Sequence, residues 1–185
     1  MRVLLYLLLF LMVGCFPASP DGPEGSATNG ADARTIVLVR HAEKCEMQGD
    51  DPELSPDGQA RAADLARVVG RLGVDRIYST PFKRTLDTVR PLADSLGLSI
   101  VDAPVGAGNV EALRDMLRAD ASQVILVSGH SNTIPHVVNW LTGSSFSDLD
   151  EYDYDRMYVV RLPQEGPGEL LEFQYGAPSS RTPGC

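Results

Sequence analysis

Positive charge is scarce in this chain: 16 Lys and Arg stand against 25 Asp and Glu in 185 residues, a formal net charge of -9. Nucleic acid or an anionic lipid surface requires a broad basic footprint, so neither is expected as a general partner, and any anion site must be local. Ligand spacing of the H-E-x-x-H kind is missing, which leaves no sequence signature for a catalytic zinc. There is no internal repeat. The apolar run from Val3 to Val13 is eleven residues long, too short to cross a bilayer as a helix.

That run follows Arg2 and has the architecture of a secretory signal. It ends in "LMVGC", Leu11 to Cys15, which resembles the lipobox of bacterial lipoproteins, in which the cysteine is acylated and becomes the first mature residue. Residues 1–15 are therefore expected to be a lipoprotein-type signal peptide with an acylated Cys15. The alternative is cleavage near Ala18 and export as a soluble protein. Removal of Arg2 leaves 15 basic against 25 acidic residues, a formal charge of -10. Residues 16–33, rich in Pro, Gly, Ser, Ala and Asp, offer too little apolar surface to offset the entropy of ordering and are expected to be a flexible tether. Contact with a membrane is then through the lipid anchor only, on the periplasmic or cell-surface side. In that oxidising setting Cys45 and Cys185 either pair or stand as two thiols, since sequence does not give their separation.

From residue 34 to 175 apolar runs alternate with amphipathic stretches, and residues 176–185 read as a tail. "RTIVLV" (34–39) is a continuous apolar run of the kind found in strands covered on both faces, and "DRIYS" (75–79), "LSIVDA" (98–103) and "QVILVS" (123–128) read as three further strands. Ser55 followed by Pro56 marks a helix start, with Leu65, Val68, Val69 and Leu72 at helical spacing. "TPFKRTLDTVRPLADSLG" repeats the pattern with Phe82, Leu86 and Val89 on one face and a kink expected at Pro91. Asn109 is expected to cap a helix presenting Val110, Leu113 and Leu117, and a fourth helix buries Ile134, Val137, Val138 and Leu141. "RMYVVRL" and "ELLEFQY" read as a closing hairpin. The expected fold is α/β, a three-layer sandwich with a mostly parallel central sheet of about six strands, helices on both faces and an antiparallel edge.

Such sheets bind ligands at the carboxyl ends of their strands. Arg40, His41 and Glu43 follow the first strand, residues 79–84 the second, and residues 128–132 the fourth, so two arginines and two of the three histidines converge. Arg40 and Arg84 offer planar forks that fit phosphate oxygens, and helices opening near Thr80 and near Ser131 or Asn132 aim backbone N–H groups at the same place. In such a pocket a neutral His41 can attack phosphorus in line, its other ring nitrogen held by a backbone carbonyl, while His130 donates to the equatorial oxygens. The same arginines would repel a metal ion. The acidic runs Gly49 to Glu53 and Ser147 to Asp155 are expected to be solvated faces, His136 to face solvent and Trp140 to pack. Tyr152, Tyr154 and Tyr158 fit either the site entrance or the edge strands.

"RHAE" (40–43), "STPFKRTLDT" (79–88), "GHSN" (129–132) and "LSPDGQARA" (54–62) together resemble the signature segments of the histidine phosphatase superfamily, also called the phosphoglycerate mutase-like family. The resemblance implies a phosphohistidine mechanism without metal or other cofactor, acting on a small phosphorylated substrate. His41 is then the nucleophile, and Arg40, Arg84 and His130 form the phosphate pocket. Asn132 holds the loop after the second histidine, Ser131 stands where glycine is often found, and Glu43 takes a structural hydrogen-bonding role. The general acid has Glu111 as first candidate, with Asp102 and Asp51 as alternatives or no acid at all; Glu111 reads equally as an ordinary first-turn helix acid. The expected activity is phosphomonoester hydrolysis. A phosphohistidine or protein phosphatase, a mutase-like enzyme, or a catalytically silent lipoprotein that binds an anion or a partner are the alternatives.

Overall fold

The computed structural model describes residues 33–45, 49–179 and 185. The expected signal peptide, Cys15 and nearly all of the expected tether lie outside the described residues. The folded part contains β1 (Arg34–Arg40), α1 (Pro56–Val69), β2 (Arg76–Ser79), α2 (Lys83–Leu96), β3 (Ile100–Asp102), α3 (Asn109–Ala119), β4 (Val124–Gly129), α4 (Ile134–Thr142), β5 (Arg156–Leu162) and β6 (Glu169–Gln174).

The strands form one sheet in the order β3-β2-β4-β1-β5-β6. β3, β2, β4 and β1 are mutually parallel, and β5 runs antiparallel to β1 and to β6. β1 is central because its residues are apolar on both faces: Ile36 and Leu38 pack with Leu113, Leu117, Ile134 and Val138, and Val37 and Val39 with Leu65, Val69, Val89 and Leu92. A mixed sheet with two apolar layers, one on each face, follows directly.

Local chemistry explains where the helices begin. Ser55 accepts a hydrogen bond from the Gly58 N–H and Pro56 occupies the first turn of α1. Gly58 is required for another reason: a Cβ there would lie 2.1 Å from the backbone oxygen of Glu43, so only glycine lets α1 close on the segment after β1. α2 continues through Pro91 and buries Thr85, Thr88, Val89 and Leu92, the i, i+3, i+4, i+7 face.

Several expectations shift. α1 ends at Val69, which leaves Leu72 in the following turn and exposed. Phe82 precedes α2 as its cap rather than joining its buried face. Asn109 is the first residue of α3, and Gly108, in the left-handed region at φ 74°, takes the capping position. Trp140 does not pack in the core: it is 56% exposed, with the Arg114 guanidinium stacked 4.7 Å from its ring centroid.

Cys45 and Cys185 form a disulfide, which ties the end of the chain to the segment after β1 across 140 residues. Closing a loop of that length removes chain entropy from the unfolded state, a contribution of about 5 kcal/mol. Reduction is therefore expected to lower the urea midpoint of the folded protein markedly; a midpoint unmoved by reductant would contradict the bridge.

Candidate active site

The carboxyl ends of β1, β2 and β4 open into a cavity of about 630 Å³ lined by Arg40, His41, Lys44, Phe82, Arg84, Asn109, His130, Ser131 and Asn132, with Asp148 and Glu151 at its wall. Arg40 ends β1 and is 2% exposed. Its Nη1 donates to the backbone carbonyls of Asp150 and Glu151, both at 2.8 Å, and more weakly to that of Asp153 at 3.4 Å. Its guanidinium lies 4.2 Å from the centroid of the Tyr154 ring, and Nε is buried with no hydrogen-bond partner. The nearest carboxylate, Glu151, reaches Nη2 only at 3.6 Å and also pairs with Lys44 at 3.2 Å. Carbonyl dipoles hold this cation in place without neutralising it, so its charge remains available to an anion.

His41 follows at once and is 4% exposed. Its backbone N–H donates to the Gly129 carbonyl, which continues the β1–β4 ladder by one residue. Nδ1 lies 2.8 Å from the Ala42 carbonyl; since a carbonyl only accepts, Nδ1 carries the proton and Nε2 keeps the lone pair. Burial first, then the charges of Arg40 and Arg84, hold the ring pKa well below the ordinary histidine value. This is a neutral imidazole with one nitrogen anchored and the other nucleophilic.

The ring of His130 stands 5.5 Å from that of His41, edge-on, and its pKa is lowered to about 4 by burial, Arg84 and Arg40. Arg84, on the first turn of α2, lies over Phe82 at 4.7 Å and pairs with Asp51 at 3.6 Å. Asp51 also caps α2 by accepting from the Lys83 N–H. Ser131 accepts from the Leu149 N–H through its backbone carbonyl, and Asn132 accepts from Thr133. Asn109 donates to the same Thr133 hydroxyl, which links α3 to the start of α4.

Arg40, His41, Arg84, His130, Ser131 and Asn132 are thus brought together. Glu111 is not: it is exposed on the first turn of α3 and does not line the cavity. Asp102 is exposed at the end of β3, and Asp51 serves Arg84 and the α2 cap. Among the described residues the carboxylates on the cavity wall are Asp148, which accepts from His136 Nε2 at 2.6 Å, and Glu151. His136 is therefore partnered rather than simply turned to solvent.

Sequence reasoning overlooked the second half of the Glu43 contact. Arg61 of α1, 3% exposed, meets both Glu43 oxygens at 2.6 to 3.0 Å and donates to the Tyr175 carbonyl at 2.8 Å. A bidentate pair this buried pins the segment carrying His41 to α1 and to the end of β6. The signal was present in "LSPDGQARA", where Arg61 falls one helical turn after Gly58. The acidic stretch 147–155 also does more than meet solvent, since its backbone caps Arg40 and Tyr154 packs beside His41. Tyr158 instead joins the core against Phe146.

Residues 36–105 match the model of the histidine phosphatase superfamily (branch 1). A phosphoserine phosphatase 1 of Hydrogenobacter thermophilus is 39% identical over 72 residues, 36% of this chain and 34% of that protein. A putative phosphoserine phosphatase 2 of the same organism is 31% identical over 113 residues, 56% of each chain. The chain thus matches about a third and just over half of these relatives' lengths. Among solved structures, the protein histidine phosphatase SixA complexed with tungstate superposes with a TM-score of 0.65 at 18% identity, over 76% of this chain and 96% of that one. The chain is thus similar to the histidine phosphatase superfamily over residues 36–105 and shares the fold of that solved structure.

The depressed histidines make stability pH-dependent. Between the unfolded value of 6.5 and about 4 for His130, the unfolded chain takes up protons that the native site refuses, so stability falls as pH drops through that window. Urea midpoints measured from pH 7 to 4 are expected to fall less steeply in His130→Asn than in the unaltered protein. An identical slope in the two would contradict the buried neutral ring.

Proposed function

We propose that this chain is a phosphomonoester hydrolase working through a phosphohistidine on His41, with no metal in the mechanism. The observation that carries the reading is a neutral His41, anchored through Nδ1, beside a buried Arg40 held chiefly by backbone carbonyls, its one carboxylate contact, Glu151, standing off at 3.6 Å. The phosphoryl group sits against Arg40, Arg84 and His130, with Ser131 and Asn132 at the loop that completes the pocket. His41 Nε2 attacks phosphorus as the P–O bond to the leaving group breaks; water then attacks the phosphohistidine, releasing phosphate and restoring neutral His41. The arginines and His130 stabilise charge that moves onto the phosphoryl oxygens.

A second reading concerns the leaving group. The wall carboxylates Asp148 and Glu151 are engaged with His136 and with Lys44 and Arg40, and Glu111 lies outside the cavity. This favours substrates whose leaving group needs little help from a protein acid, such as aryl phosphates or phosphohistidine, over alkyl esters such as phosphoserine, the substrate in the names of the two relatives. The protein is further proposed to act outside the cytoplasmic membrane, exported by residues 1–15 and tethered through Cys15, a reading supported by the apolar run and "LMVGC".

Hydrolysis of an aryl phosphate with EDTA present is expected for the unaltered chain and is expected to fall at least a thousandfold in His41→Ala. Turnover unaffected by the substitution would overturn the role of His41. No turnover on a panel of aryl, alkyl and N-phosphorylated substrates would favour an anion-binding module.

A further inference from the structure

Two buried threonines that the proposed reaction does not use lie behind His130. Thr80 and Thr85 are 1% and 0% exposed. Thr80 Oγ1 is 2.9 Å from His130 Nε2 and 2.9 Å from Thr85 Oγ1. Thr85 Oγ1 is in turn 2.8 Å from the Thr80 carbonyl and 2.9 Å from the Phe82 carbonyl.

The directions of these contacts give one arrangement. Each hydroxyl has a single proton, and a carbonyl can only accept. The Thr85 proton therefore goes to the carbonyls of Thr80 and Phe82. Thr85 Oγ1 is left as an acceptor, and it takes the Thr80 proton. With its own proton committed, Thr80 can only accept from the imidazole, so the ring proton of His130 resides on Nε2. A buried chain of this kind is costly to leave unsatisfied, which makes the direction a strong preference.

We infer that Thr80, oriented by Thr85, is a positioning residue that fixes the tautomer of His130, placing the proton on Nε2 and leaving Nδ1 for a ligand in the cavity. The inference rests on the proposed phosphoryl chemistry for its purpose but not for its geometry. Nε2 carries a proton in the neutral ring and in the imidazolium alike, so the bond to Thr80 survives when His130 gains a second proton. The ring can then donate from Nδ1 to a phosphoryl oxygen without turning. Were Thr80 the donor instead, protonation of His130 would break the contact. Phe82, edge-on to the ring at 5.3 Å, flanks the same ring from the α2 side.

The test is the tautomer itself, read from imidazole nitrogen shifts in the full chain carrying 15N-histidine, at pH 7 and without substrate. The unaltered protein is expected to show His130 as the Nε2–H form, and a resting Nδ1–H form would overturn the inference on that measurement alone. Thr85→Val keeps the Thr80 hydroxyl but frees its proton to point at Nε2, so the population is expected to move to the Nδ1–H form. Thr80→Ser keeps the wild-type tautomer and phosphate affinity. A Thr85→Val protein with the wild-type tautomer would also overturn the inference. Because the tautomer is read without turnover, a failure of the hydrolase reading in His41→Ala would leave this result separately decided.

Discussion

A cation buried at the end of the central strand, and deliberately left without a full counter-charge, is the constraint on which this site depends. Arg40 is placed by the register of β1 between β4 and β5, and three backbone carbonyls of the 150–153 segment fix its fork. Neutral dipoles satisfy the geometry and leave the charge. Burial, reinforced by the charges of Arg40 and Arg84, keeps His41 and His130 unprotonated. A protonated pair would have no nucleophile to offer, and an Arg40 closely paired with a carboxylate, rather than 3.6 Å from one it shares with Lys44, would have less attraction left for an anion.

The supporting elements serve that constraint. The Gly129 carbonyl accepts from the His41 N–H, so the segment carrying His41 leaves the sheet in a defined direction. Arg61 locks Glu43, Gly58 admits the close approach of α1, and Thr88 accepts from the Ala42 N–H while donating to the Arg84 carbonyl. α1 and α2 therefore both hold the short run from Arg40 to Glu43. The disulfide from Cys45 to Cys185 fixes the same run from its far side. The rigidity falls where a nucleophile must stay within reach of a phosphoryl group.

The strand-end rule located Arg40, His41, Arg84 and His130 because each follows a short apolar run, and that pattern survives in one dimension. The strand and helix order was legible for the same reason. Contacts that depend on how elements meet were not. The proton direction through Thr80 and Thr85 needs distances. The partner of Glu43 lies on another element, and the carbonyls that cap Arg40 come from a stretch whose acidic side chains suggested only solvation. Glu111 shows the converse: its place in the first turn of α3 was read correctly, yet the loop before that helix leaves it outside the cavity. Trp140 sits on a helix face that the neighbouring elements leave open, which its apolar character could not reveal.

The proposed chemistry requires a covalent bond between phosphorus and one ring nitrogen, that of His41. Rapid mixing with a phosphate-labelled aryl ester, stopped under alkaline, acid-free conditions and followed by peptide mapping, tests it directly. Label on His41, stable to base and released by acid, is the predicted result. Label on a serine, threonine or aspartate, or turnover with no labelled protein at any quench time in a variant slowed in the second step, would contradict it.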